Sequence, residues 1–392
     1  MTIKIAKRAG IPPFLVMEVM RAANARVAAG EAVYHLEVGQ PSTPAPAAVI
    51  AAARAALDAD PLGYTEALGI PELRAAIAGH YRAKYDLDLA PERVVVTTGS
   101  SGAFVLAFLA AFDPGDRVVL ALPGYPGYRH IVTALGLVPL SLETGPATRF
   151  QPTPELLDRI AGSIDGLIVA SPSNPAGTML TPAALAALAG YCSDRGIRLI
   201  SDEIYHGITF GRRAATVAAL SDDAVVVNSF SKYFSMTGWR LGWMIAPPDL
   251  ARAIECLAQN LFISPPTLAQ RAAVAAFDCR AELDANVARY ARNRALLLRE
   301  LPKAGFDDLA PADGAFYIYA DVSRLTDDAT AFCRRMLAET GVAATPGIDF
   351  DPGRGDRFVR FSFAGASEDM AEAARRLRAW RGGRGTGGDG GS

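Results

Sequence analysis

The feature that most constrains the fold of this chain is an alternation, in its middle part, of short apolar β-branched runs with helical stretches. The runs predict strands at residues 93–98, 117–122, 166–171, 197–202, 224–230 and 243–246. The intervening segments, such as 182–190, are rich in Ala and Leu, which favour helix. Continuously apolar strands separated by helices form mostly parallel sheets covered on both faces. We therefore predict an α/β domain.

The pattern changes after about residue 262. A long helical stretch over 266–301 is followed by short strands around 314–319 and 357–363 and by a final helix over 367–380. This order predicts a second, smaller α+β domain.

The domain boundaries follow from these changes in pattern. We expect residues 1–44, which include a predicted helix over 14–29, to join the small domain. Residues 45–285 then form the large domain and residues 286–380 the small one. The last residues, 381–392, are nearly all Gly and Arg, which predicts a flexible tail with no assigned role.

Charge and cysteine usage exclude several classes of function. The chain has 39 Lys plus Arg against 41 Asp plus Glu, so no overall field attracts nucleic acid or an anionic membrane. Its four cysteines form no C-x-x-C pair, which favours neither a disulfide framework nor a metal site. No apolar run is long enough to cross a membrane, and no signal peptide is recognisable. We expect a cytoplasmic protein with a small-molecule ligand.

Polar residues follow several of the predicted strands directly. Ligands of open parallel sheets bind beyond the carboxyl ends of the strands, so these residues are the candidate site. The segment Thr98-Gly99-Ser100-Ser101-Gly102 opens a helix, and its free backbone N–H groups suit a phosphate. Taken singly, each of these residues also fits ordinary helix capping. Several of them at neighbouring strand ends point to a ligand.

The chain resembles the class I and II aminotransferases related to aspartate and alanine aminotransferase, which are pyridoxal-phosphate enzymes of fold type I. The resemblance extends from Val38 to Ala364 and is most specific at Ser229-Phe230-Ser231-Lys232 and Met236-Thr237-Gly238-Trp239-Arg240-Leu241-Gly242-Trp243. Further matches are Tyr64-Thr65, Pro114-Gly115-Asp116, Pro123-Gly124-Tyr125-Pro126, Ser171-Pro172-Ser173-Asn174-Pro175 and Asp202-Glu203-Ile204-Tyr205.

The resemblance implies the catalytic residues. Lys232 would hold the cofactor aldehyde as a Schiff base and later move the proton. Asp202 would keep the pyridine nitrogen protonated, although a reading in which Asp202 caps a helix and Glu203 is the functional acid stays open. Asn174 and Tyr205 would donate hydrogen bonds to the phenolic oxygen of the cofactor.

The other site residues are implied in the same way. Tyr125 would stack on the pyridine ring, and the phosphate would be held by the backbone of Ser100, the hydroxyls of Ser101 and Ser229, and Arg240. Tyr64 would reach the phosphate of a neighbouring subunit, which implies a homodimer with shared sites.

The resemblance also implies the substrate contacts. Arg360 would pair with the α-carboxylate in a two-point contact, assisted by the Gly39 N–H and Asn174. Arg357 lies three residues away, so in a strand it would point to the opposite face, and we interpret it as structural. Ala176 stands where threonine is commoner, which leaves the substrate side less defined.

The implied reaction moves the amino group of an L-amino acid to 2-oxoglutarate or pyruvate. Aspartate, alanine and aromatic donors stay open, because no second cation for a dicarboxylate can be identified. A carbon–sulfur β-lyase on the same fold is the main alternative, followed by a decarboxylase or cyclase. A non-catalytic ligand sensor would need a fused DNA-binding segment, and no helix-turn-helix pattern precedes Gly39.

Overall fold

A computed structural model describes residues 3–380. Residues 1–2 and 381–392, and with them the predicted tail, lie outside the described residues. The α-helices are α1 Leu15–Ala28, α2 Ala47–Ala59, α3 Pro71–Tyr85, α4 Gly99–Ala111, α5 Pro126–Ala134, α6 Pro154–Leu157, α7 Pro182–Arg195, α8 Ala251–Leu261, α9 Thr267–Ala273, α10 Arg280–Glu300, α11 Ala329–Thr340 and α12 Ser367–Ala379. The strands are β1 Tyr34–His35, β2 Val94–Thr97, β3 Arg117–Leu122, β4 Val138–Glu143, β5 Gly166–Ala170, β6 Arg198–Asp202, β7 Val225–Ser229, β8 Gly242–Ile245, β9 Asp308–Leu309, β10 Tyr317–Asp321, β11 Val342–Ala343, β12 Thr345–Pro346 and β13 Phe358–Ser362.

A seven-stranded sheet organises the middle of the chain, in the order β2-β8-β7-β6-β5-β3-β4. Only β8 runs antiparallel to its neighbours, and the other pairs are parallel. Each of the predicted strands is present within about a residue, whereas β4 is not among the predicted strands. Its exposed and half-buried side chains lack the continuous apolar run that marks the buried strands. The predicted α/β class is confirmed.

A smaller sheet forms toward the carboxyl end of the described chain. Strands β12, β13, β10 and β9 pair antiparallel in that order, and β1 pairs parallel with β11. The apolar side chains beneath them, which include Tyr290, Phe316 and Phe361, form a core separate from that of the large sheet. Leu36 joins this core, and Ala23 of α1 packs with Leu337 and Ala343.

The long helix predicted over 266–301 is wrong as a single element. The chain forms α9, then a 3₁₀ segment over Val274–Asp278, and then α10. Ala272 and Ala276 pack into the core of the large sheet, whereas Leu297 packs into the core of the small one. Because the segment passes from one core to the other, a straight helix could not bury both ends.

Helix starts follow the capping signals of the sequence. The hydroxyls of Thr153 and Thr181 accept hydrogen bonds from the amides of Leu156 and Ala184, at 3.4 and 3.1 Å. Between residues 3 and 380, the structure contains no helix that combines the length and the apolarity needed to cross a membrane.

Candidate active site

A cavity of about 530 Å³ lies at the carboxyl ends of β5, β6 and β7. It brings together most of the site residues expected from the sequence: Gly39, Ser100, Ser101, Tyr125, Asn174, Asp202, Tyr205, Lys232, Arg240 and Arg360. Ser229 and Tyr64 do not line it. The parallel register explains the clustering, since Ala170, Asp202 and Val227 lie side by side at one edge of the sheet.

Lys232 follows β7 and points its amine into this cavity. Its Nζ donates a hydrogen bond to the carbonyl oxygen of Gly39 at 2.7 Å. Burial, together with the positive charges of Arg360 and Arg240, lowers the pKa of Lys232 to about 8, against the opposing effect of Asp202. A buried amine with a lowered pKa is neutral more often at physiological pH, which suits it for nucleophilic and proton-transfer work.

Asp202 ends β6 and is 3% exposed. Its carboxylate accepts a hydrogen bond from the hydroxyl of Tyr128 and another from the amide of Ile204 at 3.0 Å. Burial raises the pKa of Asp202 to about 6, although these hydrogen bonds and Lys232 oppose the shift. Tyr128 was not predicted from the sequence. It lies in the first turn of α5, three residues after Tyr125, and this spacing places the two side chains on the same side of the helix.

The neighbouring acid, Glu203, turns away from the cavity. It accepts hydrogen bonds from the amide of Val217 at 2.8 Å and the hydroxyl of Ser201 at 3.2 Å. Successive residues of a strand point to opposite faces, so only one of two adjacent acids can reach the ligand edge. This geometry favours Asp202 over the alternative acid.

Arg360 lies on β13 and is 2% exposed. Its Nη1 donates to the side-chain oxygen of Asn174 at 2.9 Å, and its Nη2 donates to the Glu37 carbonyl oxygen and, at 3.3 Å, to Thr345 Oγ1. The guanidinium carbon lies 4.4 Å from the ring centre of Tyr317. Its Nε is buried without a hydrogen-bond partner among the described residues. Arg357, in contrast, is largely exposed and lies 3.8 Å from Asp321.

The start of α4 and Arg240 form a second polar end of the cavity. Ser100 and Ser101 lie in the first turn of this helix, where amides have no intrahelical partner. A Cβ on Gly99 would lie 2.5 Å from Arg240 Nη2, and Gly99 has a φ of +69°. Glycine is therefore required for the guanidinium to lie against the helix start, and this arrangement of free amides and a cation can bind an anion.

The hydroxyl of Ser229, which was expected to contact the phosphate, does not line the cavity. Its hydroxyl donates toward Ser231 Oγ at 2.9 Å and accepts from the Ser231 amide at 3.0 Å. Ser231 lines the cavity in its place. The sequence motif contains both serines, and only the local turn decides which hydroxyl faces the ligand.

Tyrosine side chains shape another part of the cavity. The hydroxyl oxygens of Tyr205 and Tyr317 are 2.7 Å apart. Tyr125 packs edge-on against Tyr128, with ring centres 5.2 Å apart. Tyr317 was not predicted, and a Cβ on Gly39 would overlap its hydroxyl, so this contact explains the glycine.

The chemistry of the lining residues is that expected for a phosphorylated pyridine aldehyde. The start of α4 and the Arg240 guanidinium can hold a phosphate, and Asp202 and Lys232 line the same cavity, where a carboxylate and an amine suit a ring nitrogen and an aldehyde. The unpartnered Nε of Arg360 marks a donor that a bound carboxylate can use.

One wall of the cavity is apolar. It consists of Phe14, Val16 and Met17 from the start of α1, with Val38 and Ile131. This wall was not predicted, because nothing in the spacing of these residues shows that α1 reaches the site.

Comparisons with known proteins agree with this geometry. The family model for aminotransferase class I and II matches residues 31–377. A valine–pyruvate aminotransferase of Mycobacterium tuberculosis is 54% identical, over 97% of this chain and 99% of that protein. An aspartate aminotransferase of Sulfurisphaera tokodaii is 32% identical, over 89% of this chain and 90% of that protein.

Solved structures give the same result. The crystal structure of an aminotransferase from Mycobacterium tuberculosis superposes with a TM-score of 0.95 at 54% identity, covering 97% of this chain and 99% of that one. The aspartate aminotransferase from Thermus thermophilus with maleate gives 0.90 at 32% identity, covering 96% and 100%. These relatives support transamination over the β-lyase alternative. The chain belongs to the class I and II aminotransferases, and it is a pyridoxal-phosphate-dependent transaminase that moves an amino group from an amino acid to a 2-oxo acid.

Proposed function

We propose that this transaminase uses L-amino acids with uncharged aliphatic side chains, such as valine, as amino donors, with pyruvate as an acceptor. The observation that carries the proposal is the distribution of charge in the cavity. Within the described residues, the charged side chains that line it are Asp202, Lys232, Arg240 and Arg360. In our proposal each has a task toward the cofactor or the α-carboxylate, so none of the charged residues that this subunit contributes is left for a second carboxylate.

The apolar wall supports the same substrate class. Burying a methyl or methylene group is worth about 0.8 kcal/mol, whereas burying an unpaired carboxylate against apolar side chains costs much more. Phe14, Val16 and Ile131 therefore favour a branched aliphatic group over an acidic one. The relative from Mycobacterium tuberculosis carries the name valine–pyruvate aminotransferase, which agrees with this choice.

The bound pyridoxal phosphate supplies an aldehyde that captures the amino group and a ring that withdraws electrons from the substrate Cα. In our proposal Lys232 is the covalent attachment point, and its amine takes up and returns the Cα proton. The Asp202 carboxylate, oriented by Tyr128, holds a proton on the ring nitrogen. The side chains of Asn174 and Tyr205 contact the phenolic oxygen, and Tyr125 packs on the ring.

The phosphate and the substrate carboxylate take opposite ends of the cavity. The amide of Ser100, the hydroxyl of Ser101 and Arg240 hold the phosphate, and Ser229 supports the turn that presents Ser231. Arg360 holds the α-carboxylate together with Gly39 and Asn174. Because Arg360 is already fixed by Asn174 and the Glu37 carbonyl, it binds the carboxylate with little loss of side-chain entropy.

Single-turnover reactions of the cofactor-loaded enzyme with valine, alanine, aspartate and phenylalanine test the donor class. We expect valine to react with a kcat/KM at least about tenfold above that of aspartate, because the acidic side chain finds no cation. Met17 lies at the edge of the apolar wall, so Met17→Arg should raise the reactivity of aspartate, with Met17→Gln as the size-matched control. Aspartate as the best donor of the unaltered enzyme would refute the proposal.

We also propose a homodimer in which Tyr64 of the partner subunit contacts the phosphate. Tyr64 is 83% exposed, and its loop is tied to the segment that carries the exposed side chains of Leu261 and Ile263. A groove of about 620 Å³, lined by Pro41, Trp239 and their neighbours, opens nearby. Exposed apolar surface of this kind favours association with another protein surface.

Subunit mixing tests the shared site. Tyr64→Ala and Lys232→Ala each damage their own homodimer. A mixed dimer contains one site with an intact Lys232 and an intact Tyr64 from the other subunit. We expect activity to rise on mixing and subunit exchange, and mixtures of Lys232→Ala with itself to stay inactive. No recovery in a mixture shown to exchange subunits contradicts the arrangement.

The domain boundaries at 45 and 286, and a cytoplasmic location, are part of the same proposal. The two separate apolar cores support the boundaries. The cysteines of the described chain, Cys192, Cys256, Cys279 and Cys333, are all unpaired, which suits a reducing compartment.

A further inference from the structure

A buried aspartate from a distant part of the sequence contacts the first turn of α1. Asp349 is 4% exposed and lies in the loop after β12. Its Oδ1 accepts a hydrogen bond from the amide of Leu15 at 3.3 Å, and its Oδ2 accepts one from the amide of Val16 at 3.2 Å. The two segments are more than 330 residues apart in the sequence.

Helix α1 has no cap of its own. The residue before it, Phe14, has no side-chain acceptor, and the first amides of a helix have no intrahelical partner. A carboxylate at this end satisfies two of them and interacts favourably with the helix dipole. The position at which α1 begins therefore depends on Asp349.

The start of α1 is also the apolar wall of the active site. Phe14, Val16 and Met17 line the cavity, and the ring of Phe14 packs edge-on against Tyr125, with centres 5.9 Å apart. Asp349 accepts hydrogen bonds from the amides of Leu15 and Val16. Val16 is therefore held directly, and Phe14 and Met17 are next to the held residues in the sequence. A displacement of the first turn would move the wall relative to the cofactor ring.

The Asp349 loop contacts the other substrate-binding elements as well. The ring centre of Phe350 lies 4.7 Å from the guanidinium carbon of Arg360, and its carbonyl oxygen accepts from the amide of Gly124 at 3.0 Å. The loop is tightly packed, since a Cβ on Gly355 would overlap the backbone of Gly347. One rigid loop therefore contacts Arg360, the turn before Tyr125 and the start of α1.

We propose that Asp349 is a positioning residue for side-chain specificity. By holding the amides of Leu15 and Val16, it fixes the apolar wall at a set distance from Arg360, so that a branched donor such as valine fills the space between them. This inference rests on the proposed aliphatic donor class. A short donor such as alanine makes fewer contacts with the wall and depends less on its position.

The test compares Asp349→Ala and Asp349→Asn in the cofactor-loaded enzyme. Asp328 provides a matched control, because it caps α11 by accepting the Ala331 amide at 2.9 Å and does not line the cavity. We expect Asp349→Ala to lower the single-turnover kcat/KM of valine about tenfold and that of alanine by less than about threefold. Asp349→Asn keeps one acceptor oxygen and should give an intermediate loss for valine. Asp328→Ala should leave the valine-to-alanine ratio unchanged.

Hydrogen exchange of the α1 amides gives a readout that does not depend on turnover. We expect the first turn of α1 to exchange faster in Asp349→Ala than in the unaltered enzyme, while the cofactor absorbance stays the same. Equal losses for valine and alanine, or unchanged exchange of α1, would overturn the inference. An unaltered enzyme that does not prefer valine to aspartate refutes the donor proposal instead, and the exchange of α1 still reports whether Asp349 anchors the helix.

Discussion

The two ends of the active-site cavity are built in different ways. At the end that we assign to the cofactor, Asp202 closes β6, Lys232 follows the neighbouring β7, and Arg240 lies a few residues further on. At the substrate end, Arg360, Gly39 and the start of α1 come from segments far apart in the sequence, tied together by Asp349 and the Glu37 carbonyl.

The groups that we assign to the reaction are therefore positioned separately from those that we assign to substrate recognition. Strand register fixes the cofactor end, so it changes only if the sheet changes. The end that we assign to the substrate depends on side chains and caps outside that sheet, so they can vary without changing the strand register of the large sheet. We expect substitutions at the cofactor end to lower kcat for all donors, and those at the substrate end to act through KM and donor choice.

The largest effect should come from Lys232→Ala, which removes both the attachment point and the proton carrier. We expect turnover to fall by about 10⁴-fold or more, measured in single-turnover reactions with valine. Cofactor should still bind through the anion site at Arg240, detected by equilibrium dialysis. Near-normal turnover, or borohydride trapping of another side chain in the unaltered enzyme, contradicts this assignment.

Asp202→Asn should have the next largest effect, because a neutral amide does not stabilise a protonated ring nitrogen. We expect kcat to fall about 10²–10³-fold for every donor. Glu203→Gln is the matched control. This acid is also buried, but its carboxylate accepts a hydrogen bond from Ser201 and does not line the cavity. We expect Glu203→Gln to act mainly on the melting temperature and to have little effect on kcat. A larger loss of kcat in Glu203→Gln than in Asp202→Asn would reverse the assignment.

Arg360→Lys should act mainly on substrate binding. A lysine cannot reproduce the planar two-point pairing, so we expect kcat/KM to fall about 10- to 100-fold, mostly through KM. Arg357→Lys is the control, because Arg357 is largely exposed and sits at the surface beside Asp321. Equal effects of the two substitutions would show that Arg360 does not hold the carboxylate.

The smallest expected effect is a change in the pKa of Lys232 when Arg360, at the other end of the cavity, is replaced. The pKa of Lys232 is lowered to about 8 by burial first and by Arg360 next, so Arg360→Gln should raise it toward its ordinary value. The amine attacks only when neutral, so cofactor attachment to cofactor-free enzyme should accelerate as the pH rises through this pKa. We expect a midpoint near pH 8, and a higher one in Arg360→Gln, followed by stopped-flow absorbance. A midpoint that does not move means that the two ends are electrostatically independent.

Much of the cofactor end could be predicted from the sequence. The strands after which Asp202 and Lys232 lie are continuous apolar runs, and the lysine motif is specific. The phosphate contact of Ser229 stays a prediction, because the local turn places Ser231 and not Ser229 in the cavity lining. Tyr128 and Tyr317 were not predicted, since a tyrosine that supports a catalytic group looks like any core tyrosine until its hydroxyl partner is known. Tyr64 remains a prediction, because its role depends on a second subunit.

By itself, the sequence determined the α/β class and the strands at whose ends Asp202 and Lys232 lie, while the resemblance to the family implied the roles that we propose for them. These properties are local, because apolar periodicity sets each strand and parallel pairing then brings the strand ends together. Only the tertiary structure decided that α1 forms an apolar wall, that Asp349 caps it, and that Asn174 and Glu37 orient Arg360. Such contacts join residues hundreds of positions apart, and no short-range pattern in the chain records them.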